Sequence, residues 1–150
     1  MAGSAIGVPL QALAQQADLA ARQAQLLLPN PAAFQAAMTT FVGHATPQAE
    51  GLMLEVPTLA DNPSAVPVRI RITLPITGQD WCEEVILLAE RNPIPLACRL
   101  FFTPLAGTAE AAVRVRLAQS QTLHALARMK SGRVLAARQA VTVAASGCGM

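Results

Sequence analysis

A chain of 150 residues with a formal net charge of +2 and a pI near 8.7 has the size of one domain and can bury a core without staples. Apolar residues make up 53% of it, yet aromatics only 3% and tyrosine none, so an aliphatic core is expected. The 11 basic residues are scattered with little aromatic interleaving, which argues against nucleic acid, and no apolar run approaches the roughly 18 residues that span a bilayer.

Residues 1–9 carry no charge and no basic stretch of the kind that opens a signal peptide. From Leu10 the apolar residues fall at Leu10, Leu13, Ala17, Ala20, Ala24 and Leu27. That spacing of three or four puts them on one helical face, with Gln11, Gln15, Asp18, Arg22 and Gln25 largely elsewhere. Pro29 ends this helix, because its ring clashes with the preceding turn and it has no amide proton. Asn30 followed by Pro31 makes a cap and first turn for a shorter helix carrying Phe34, Met38 and Phe41, which Gly43 stops. Both helices are expected to pack on their own domain, with partner binding as the alternative.

Beyond residue 51 the period changes from 3.6 to 2. Segments 52–57, 66–74, 83–90, 96–103, 110–117, 121–129 and 134–143 read as strands. Val66, Val68, Ile70, Ile72 and Leu74 alternate with Pro67, Arg69, Arg71 and Thr73, and Val113, Val115 and Leu117 with Arg114 and Arg116. Turn signals separate the segments at Asp61-Asn62-Pro63, Thr77 to Asp80, Arg91-Asn92-Pro93, Pro104 to Gly107 and Ser131-Gly132. About seven short strands with regular turns predict a mainly β fold, an immunoglobulin-like antiparallel β-sandwich. The expected organisation is a helical segment over 1–43, the sandwich over 44–143 and a flexible arm over 144–150.

Little in the body promises chemistry. The sequence has no nucleophile elbow, no Ser-His-Asp arrangement and no phosphate loop after a strand. Glu83 and Glu84 are adjacent, so on a strand they face opposite ways and cannot share a site. His44 and His124 read as capping or core-lining residues, and neither they nor the three cysteines have zinc-ligand spacing, so no metal is expected. Cys98, in register with Leu96, Leu100 and Phe102, reads as core. Cys82 follows Trp81 at the start of a strand, and a Cys82–Cys98 disulfide is left open. Arg69, Arg71, Arg114 and Arg116 form a solvated face, or else an anionic docking strip.

The segment Ala144-Ala145-Ser146-Gly147-Cys148-Gly149-Met150 is different. A cysteine between glycines has little backbone constraint and little to bury it, and an extended chain carries it roughly 16 to 18 Å from Val143 at about 3.3 to 3.6 Å per residue. An ordinary frayed end is the bland alternative. An unperturbed thiol with a pKa of about 8.5 is only a few per cent ionised at neutral pH, and the segment supplies no base. Such a thiol suits a carrier activated inside its partners better than a catalyst.

Taken together, Leu59-Ala60-Asp61-Asn62 with Val66-Pro67-Val68, Arg91-Asn92-Pro93-Ile94-Pro95, Phe102-Thr103-Pro104 with Gly107, Arg114 to Ala118, and Val141-Thr142-Val143 leading into Gly147-Cys148-Gly149 resemble the SoxY family of the thiosulfate-oxidising Sox system. The resemblance runs from about Phe34 onward. It implies a sandwich that pairs with a SoxZ-like subunit and carries thiosulfate-derived intermediates covalently on Cys148, with no cofactor beyond those adducts. Gly147 and Gly149, with Ser146, would let the arm thread into partner active sites. The implied partners are a haem enzyme that couples thiosulfate, a hydrolase that releases sulfate, and an oxidant of the remaining sulfane sulfur; a disulfide dimer through Cys148 is expected chemistry for an exposed thiol in an oxidising compartment.

The family's tail typically reads Gly-Gly-Cys-Gly-Gly, so Ser146 and Met150 depart from it and point to a relative serving a different sulfur pathway as an alternative. The family also implies a periplasmic location, although the sequence contains no twin-arginine export signal. That leaves both a trimmed periplasmic form and a cytoplasmic relative. A non-catalytic immunoglobulin-like binding or structural subunit is the contrasting function, and it would not need Cys148.

Overall fold

In the computed structural model, which describes residues 3–144, the chain forms two helices and eight strands: α1 Leu10–Leu26, α2 Pro31–Val42, β1 Leu52–Glu55, β2 Leu59–Ala60, β3 Val66–Ile72, β4 Cys82–Ala89, β5 Leu96–Phe101, β6 Glu110–Val115, β7 Gln121–Met129 and β8 Val134–Val143. The strands build a three-stranded sheet, β1-β3-β6, facing a five-stranded one, β2-β8-β7-β4-β5. This is the predicted sandwich. Its strand pairs are antiparallel except for β2, which runs parallel to the end of β8 through Leu59 opposite Thr142 and Ala60 opposite Val143. A strand of two residues shows no alternation, so it left no signal in the sequence.

The period-2 reading holds best on β3, where Val66, Val68, Ile70 and Ile72 are buried and Pro67, Arg69 and Arg71 are exposed. Each such side chain contributes roughly 1.5–3 kcal/mol when withdrawn from water. They meet Val85, Leu87, Leu123, Ala125 and Ala127 of the facing sheet in the main core. Strands β4 and β7 are also covered on their other side, where Ile86, Leu88 and Leu126 meet Phe34 and Phe41 of α2. Both faces of β4 are therefore dry, and its run Val85-Ile86-Leu87-Leu88-Ala89 is apolar at every position.

The ends of α2 follow their residues. The Asn30 side-chain oxygen accepts a hydrogen bond from the Ala33 amide at 3.0 Å, Pro31 fills the first turn, and Gly43 leaves the helix at φ 59° while donating to the Thr39 carbonyl. α1 departs from expectation, because none of its residues is buried. The apolar outer face of the five-stranded sheet is already covered by α2 through Phe34 and Phe41.

A second departure concerns Leu96. Leu87 pairs with Cys98 but Leu88 with Leu96, so Ala97 is an extra residue in β5. One inserted residue turns the preceding side chain to the opposite face. Leu96 thus lies beside Arg99 and α2, while Cys98, Leu100 and Phe102 pack against the main core. These three are half-buried because β5 is an edge strand. The arginine face is a solvated mixture of charges, with Arg69 lying 3.6 Å from Glu110.

Candidate functional site

The sequence-predicted site residues Ser146, Gly147, Cys148 and Gly149 lie outside the described residues. The structure does define the base from which their segment departs. The Thr142 amide donates to the Thr58 carbonyl at 2.8 Å and the Ala144 amide to the Ala60 carbonyl at 3.0 Å, so β2 clamps the end of β8 from one side. From the other, the Ser120 hydroxyl accepts from the Val143 amide at 2.9 Å. These bonds hold the backbone of residues 142–144.

The loops around this base are tied together by two side chains. Asn92 donates to the Arg116 carbonyl at 2.8 Å and accepts from the Ala118 amide at 3.0 Å. Gln121, only 6% exposed, donates to Asn92 Oδ1 at 2.9 Å and to the Gln119 carbonyl at 3.0 Å, and accepts from the Arg91 amide at 2.8 Å. The Leu117 amide reaches the Pro63 carbonyl at 2.8 Å. A buried amide satisfied at both ends gives a rigid mount. Arg91-Asn92-Pro93 and Arg114 to Ala118, noted in the sequence as a turn and a strand, thus meet in space, which no local signal shows.

Beside Ala144 opens a cavity of about 900 Å³ whose walls include Leu26, Leu27, Ile94, Leu117 and Val143. The end of α1 and the base of the C-terminal segment share this cavity. Ile94 is 77% exposed at its edge, and Asn92, Arg116, Gln119 and Ser120 add polar groups to the lining.

The two described cysteines are unpaired and poorly suited to chemistry. Cys82 is 1% exposed, and burial, reinforced by Glu83 and Glu84 and opposed in part by a backbone hydrogen bond at Glu84, pushes its pKa up to about 11. Burial also raises the pKa of Cys98. Both stay thiols at neutral pH and make weak nucleophiles. A folded-state pKa above the unfolded one favours the folded protein fully at low pH and loses that advantage as pH rises. We expect conformational stability to fall by up to about 2–3 kcal/mol between roughly pH 9 and 11, and Cys82→Ala to flatten this alkaline limb in urea titrations.

Two further polar clusters were not legible beforehand. Glu84, 7% exposed, binds Arg99 and, at 2.8 Å, Arg128. Arg128 also donates to the Phe41 carbonyl at 2.7 Å and lies 4.3 Å from the centre of the Phe41 ring. His124 lines the second core as expected, 2.9 Å from Glu90 and 5.0 Å from the Phe34 ring, whereas His44 is exposed after α2. Among the described residues no three His, Cys, Asp or Glu side chains converge as metal ligands, and no helix is long and apolar enough to cross a membrane.

The sandwich fold is shared with several solved proteins. The sulfur carrier protein SoxY from Chlorobium limicola f. thiosulfatophilum superposes with a TM-score of 0.63 at 18% identity, covering 77% of this chain and all of that one. A superoxide reductase (neelaredoxin) from Ignicoccus hospitalis gives 0.56 at 17% identity, covering 63% of this chain and 80% of that one. A neelaredoxin variant from Archaeoglobus fulgidus gives 0.51 at 13%, covering 65% and 93%. One fold thus carries unlike activities and does not choose between them. The sequence chooses: residues 38–148 match the family described as sulfur oxidation protein SoxY, and the chain belongs to that family. No curated protein matches the chain.

Proposed function

We propose that this chain is a carrier subunit in sulfur oxidation that holds thiosulfate-derived intermediates covalently on Cys148. The observation that carries this reading is the extent of the family match, which runs from residue 38 through the whole sandwich to residue 148. The clamped strand end supports it. A thiol within roughly 16 to 18 Å of Val143 is tethered to a fixed point, so partners can find it by docking on the body. Cys82, buried, and Cys98, half-buried, are both held as thiols and offer no competing attachment point.

The chemistry balances with the sulfur of Cys148 as the anchor. The Cys148 thiolate joins the outer sulfur of thiosulfate in a new S–S bond, and the two electrons released pass to a haem partner. Water then cleaves the terminal S–S bond, releasing sulfate and a proton and leaving a persulfide on Cys148. A further partner oxidises that sulfane sulfur. In this reading the chain is not itself the catalyst. It pairs with a SoxZ-like subunit, works in the periplasm, and divides into a helical segment over 1–43, the sandwich over 44–143 and a carrier arm over 144–150 in which Ser146, Gly147 and Gly149 supply the bends.

The test is intact-protein mass spectrometry without reductant on protein isolated from thiosulfate-grown cells, followed by peptide mapping. Adducts of sulfane sulfur or thiosulfonate on Cys148, released by reductant, are the expected result. Unmodified Cys148 in actively oxidising cells would overturn the carrier reading in favour of a binding subunit.

A further inference from the structure

The family match begins at residue 38, so α1 precedes it, and nothing in the carrier reading uses this helix. Eight of the large apolar side chains exposed among the described residues lie between Ile6 and Leu28. On α1 itself Leu10 is 84% exposed and Leu13 48%, and at its C-cap Leu27 is 73% exposed. The helix has no side-chain N-cap bond and no buried residue. A helix of this length is marginal in water unless a face is packed.

The apolar positions of that face, Leu10, Leu13, Ala17, Ala20, Ala24 and Leu27, recur at alternating intervals of three and four, the a and d positions of a heptad. Their order is self-complementary when reversed. Against an antiparallel copy Leu10 meets Leu27, Leu13 meets Ala24 and Ala17 meets Ala20, and each of these contacts occurs twice about a two-fold axis. Large layers at both ends then grade into small ones at the centre. A parallel pair would instead set leucine on leucine beside three alanine layers, holding the helices apart where the alanines need them close.

The flanks agree. Ala14 and Ala21 on one side, and Gln16 and Gln23 on the other, bring no charge to the seam. The helix's ionised side chains, Asp18 and Arg22, pair with each other at 2.9 Å on its outer surface. Antiparallel packing also aligns the helix dipoles favourably. It separates the two bodies, which follow Leu26, by the helix length of roughly 25 Å.

We infer that α1 is a self-association element, through which two copies of this chain pair by an antiparallel helix contact. At about 60–120 Å² of apolar surface per leucine, with the smaller alanines added, the pair buries on the order of 600–1,000 Å². That is the size of a weak, exchanging interface. The dimer forms and dissociates at micromolar concentrations and leaves the sandwich faces free. This inference does not depend on the carrier function.

The test is sedimentation equilibrium of the full chain, with reductant present so that thiols cannot link copies, from roughly 5 to 500 µM. The mass is expected to rise from 15.7 kDa toward twice that value. The double variant Ala17→Glu, Ala20→Glu is expected to stay monomeric, with its circular dichroism in the strand region and its melting temperature unchanged because α1 adds nothing to either core. A monomeric parent at the highest concentration, or a dimer indifferent to the glutamates, overturns the proposal. If the glutamates instead weaken only binding to a different subunit, α1 is a hetero-partner element and the proposal fails. Orientation is read in a Cys148→Ser background under mild oxidation. Leu10→Cys together with Leu27→Cys is expected to give a dimer linked between positions 10 and 27, while either substitution alone gives none. Linkage by a single substitution would mean a parallel pair and would also overturn it.

Discussion

Serine in place of Cys148 is expected to abolish thiosulfate-dependent sulfate release in a system reconstituted with its partners, by at least about 100-fold, while the fold stays intact. A hydroxyl cannot form the sulfur–sulfur bond on which the carried intermediate depends, so the loss should be all or none. No other thiol can take over. Cys82 is buried with a pKa of about 11, and Cys98 is a partly buried thiol on the edge strand whose pKa burial also raises. Circular dichroism and thermal melting should match the parent, because both cores and the bonds that hold the end of β8 are built from residues up to Ala144. Activity within a few-fold of the parent would mean that the intermediate is carried elsewhere.

The largest effect on stability is expected from Glu84→Ala, about 2–3 kcal/mol, with a fall in melting temperature of roughly 5–10 °C. Glu84 sits between Arg99 and Arg128 under α2. Removing the carboxylate leaves two guanidinium groups close together without the anion they share. Arg128 is also the side chain that holds the Phe41 carbonyl, so its displacement should loosen the C-terminal turn of α2. The half-exposed positions of both arginines, with side chains 49% and 35% exposed, keep the cost below that of a fully buried pair. Glu83→Ala is the control. Its carboxylate lies 3.4 Å from Lys130 at the surface, and its loss should cost under about 1 kcal/mol. Equal effects of the two substitutions in urea denaturation would remove Glu84 from its assigned role.

Chain-local physics was legible wherever one residue's chemistry decides one turn. Asn30-Pro31 starts α2 and Gly43 ends it, and the alternation over 66–72 gives β3 and its buried face. The family resemblance was also legible, because it rests on an ordered set of short motifs that end in Gly147-Cys148-Gly149. The Glu84 cluster was not. Its partners lie 15 and 44 residues away, and the sequence shows only that Glu83 and Glu84 point apart.

The sequence by itself determined the sandwich, the second helix and the family, since these follow from periodicity, caps and motif order along the chain. Tertiary structure alone decided where Leu96 faces, because a single extra residue in β5 reverses the pleat. It also decided that β2 clamps β8, that Asn92 and Gln121 join loops distant in sequence beside the end of β8, and that α1 is left without cover. Each of these depends on which surfaces meet after the chain has folded, and a pattern of neighbours along a chain carries no record of that.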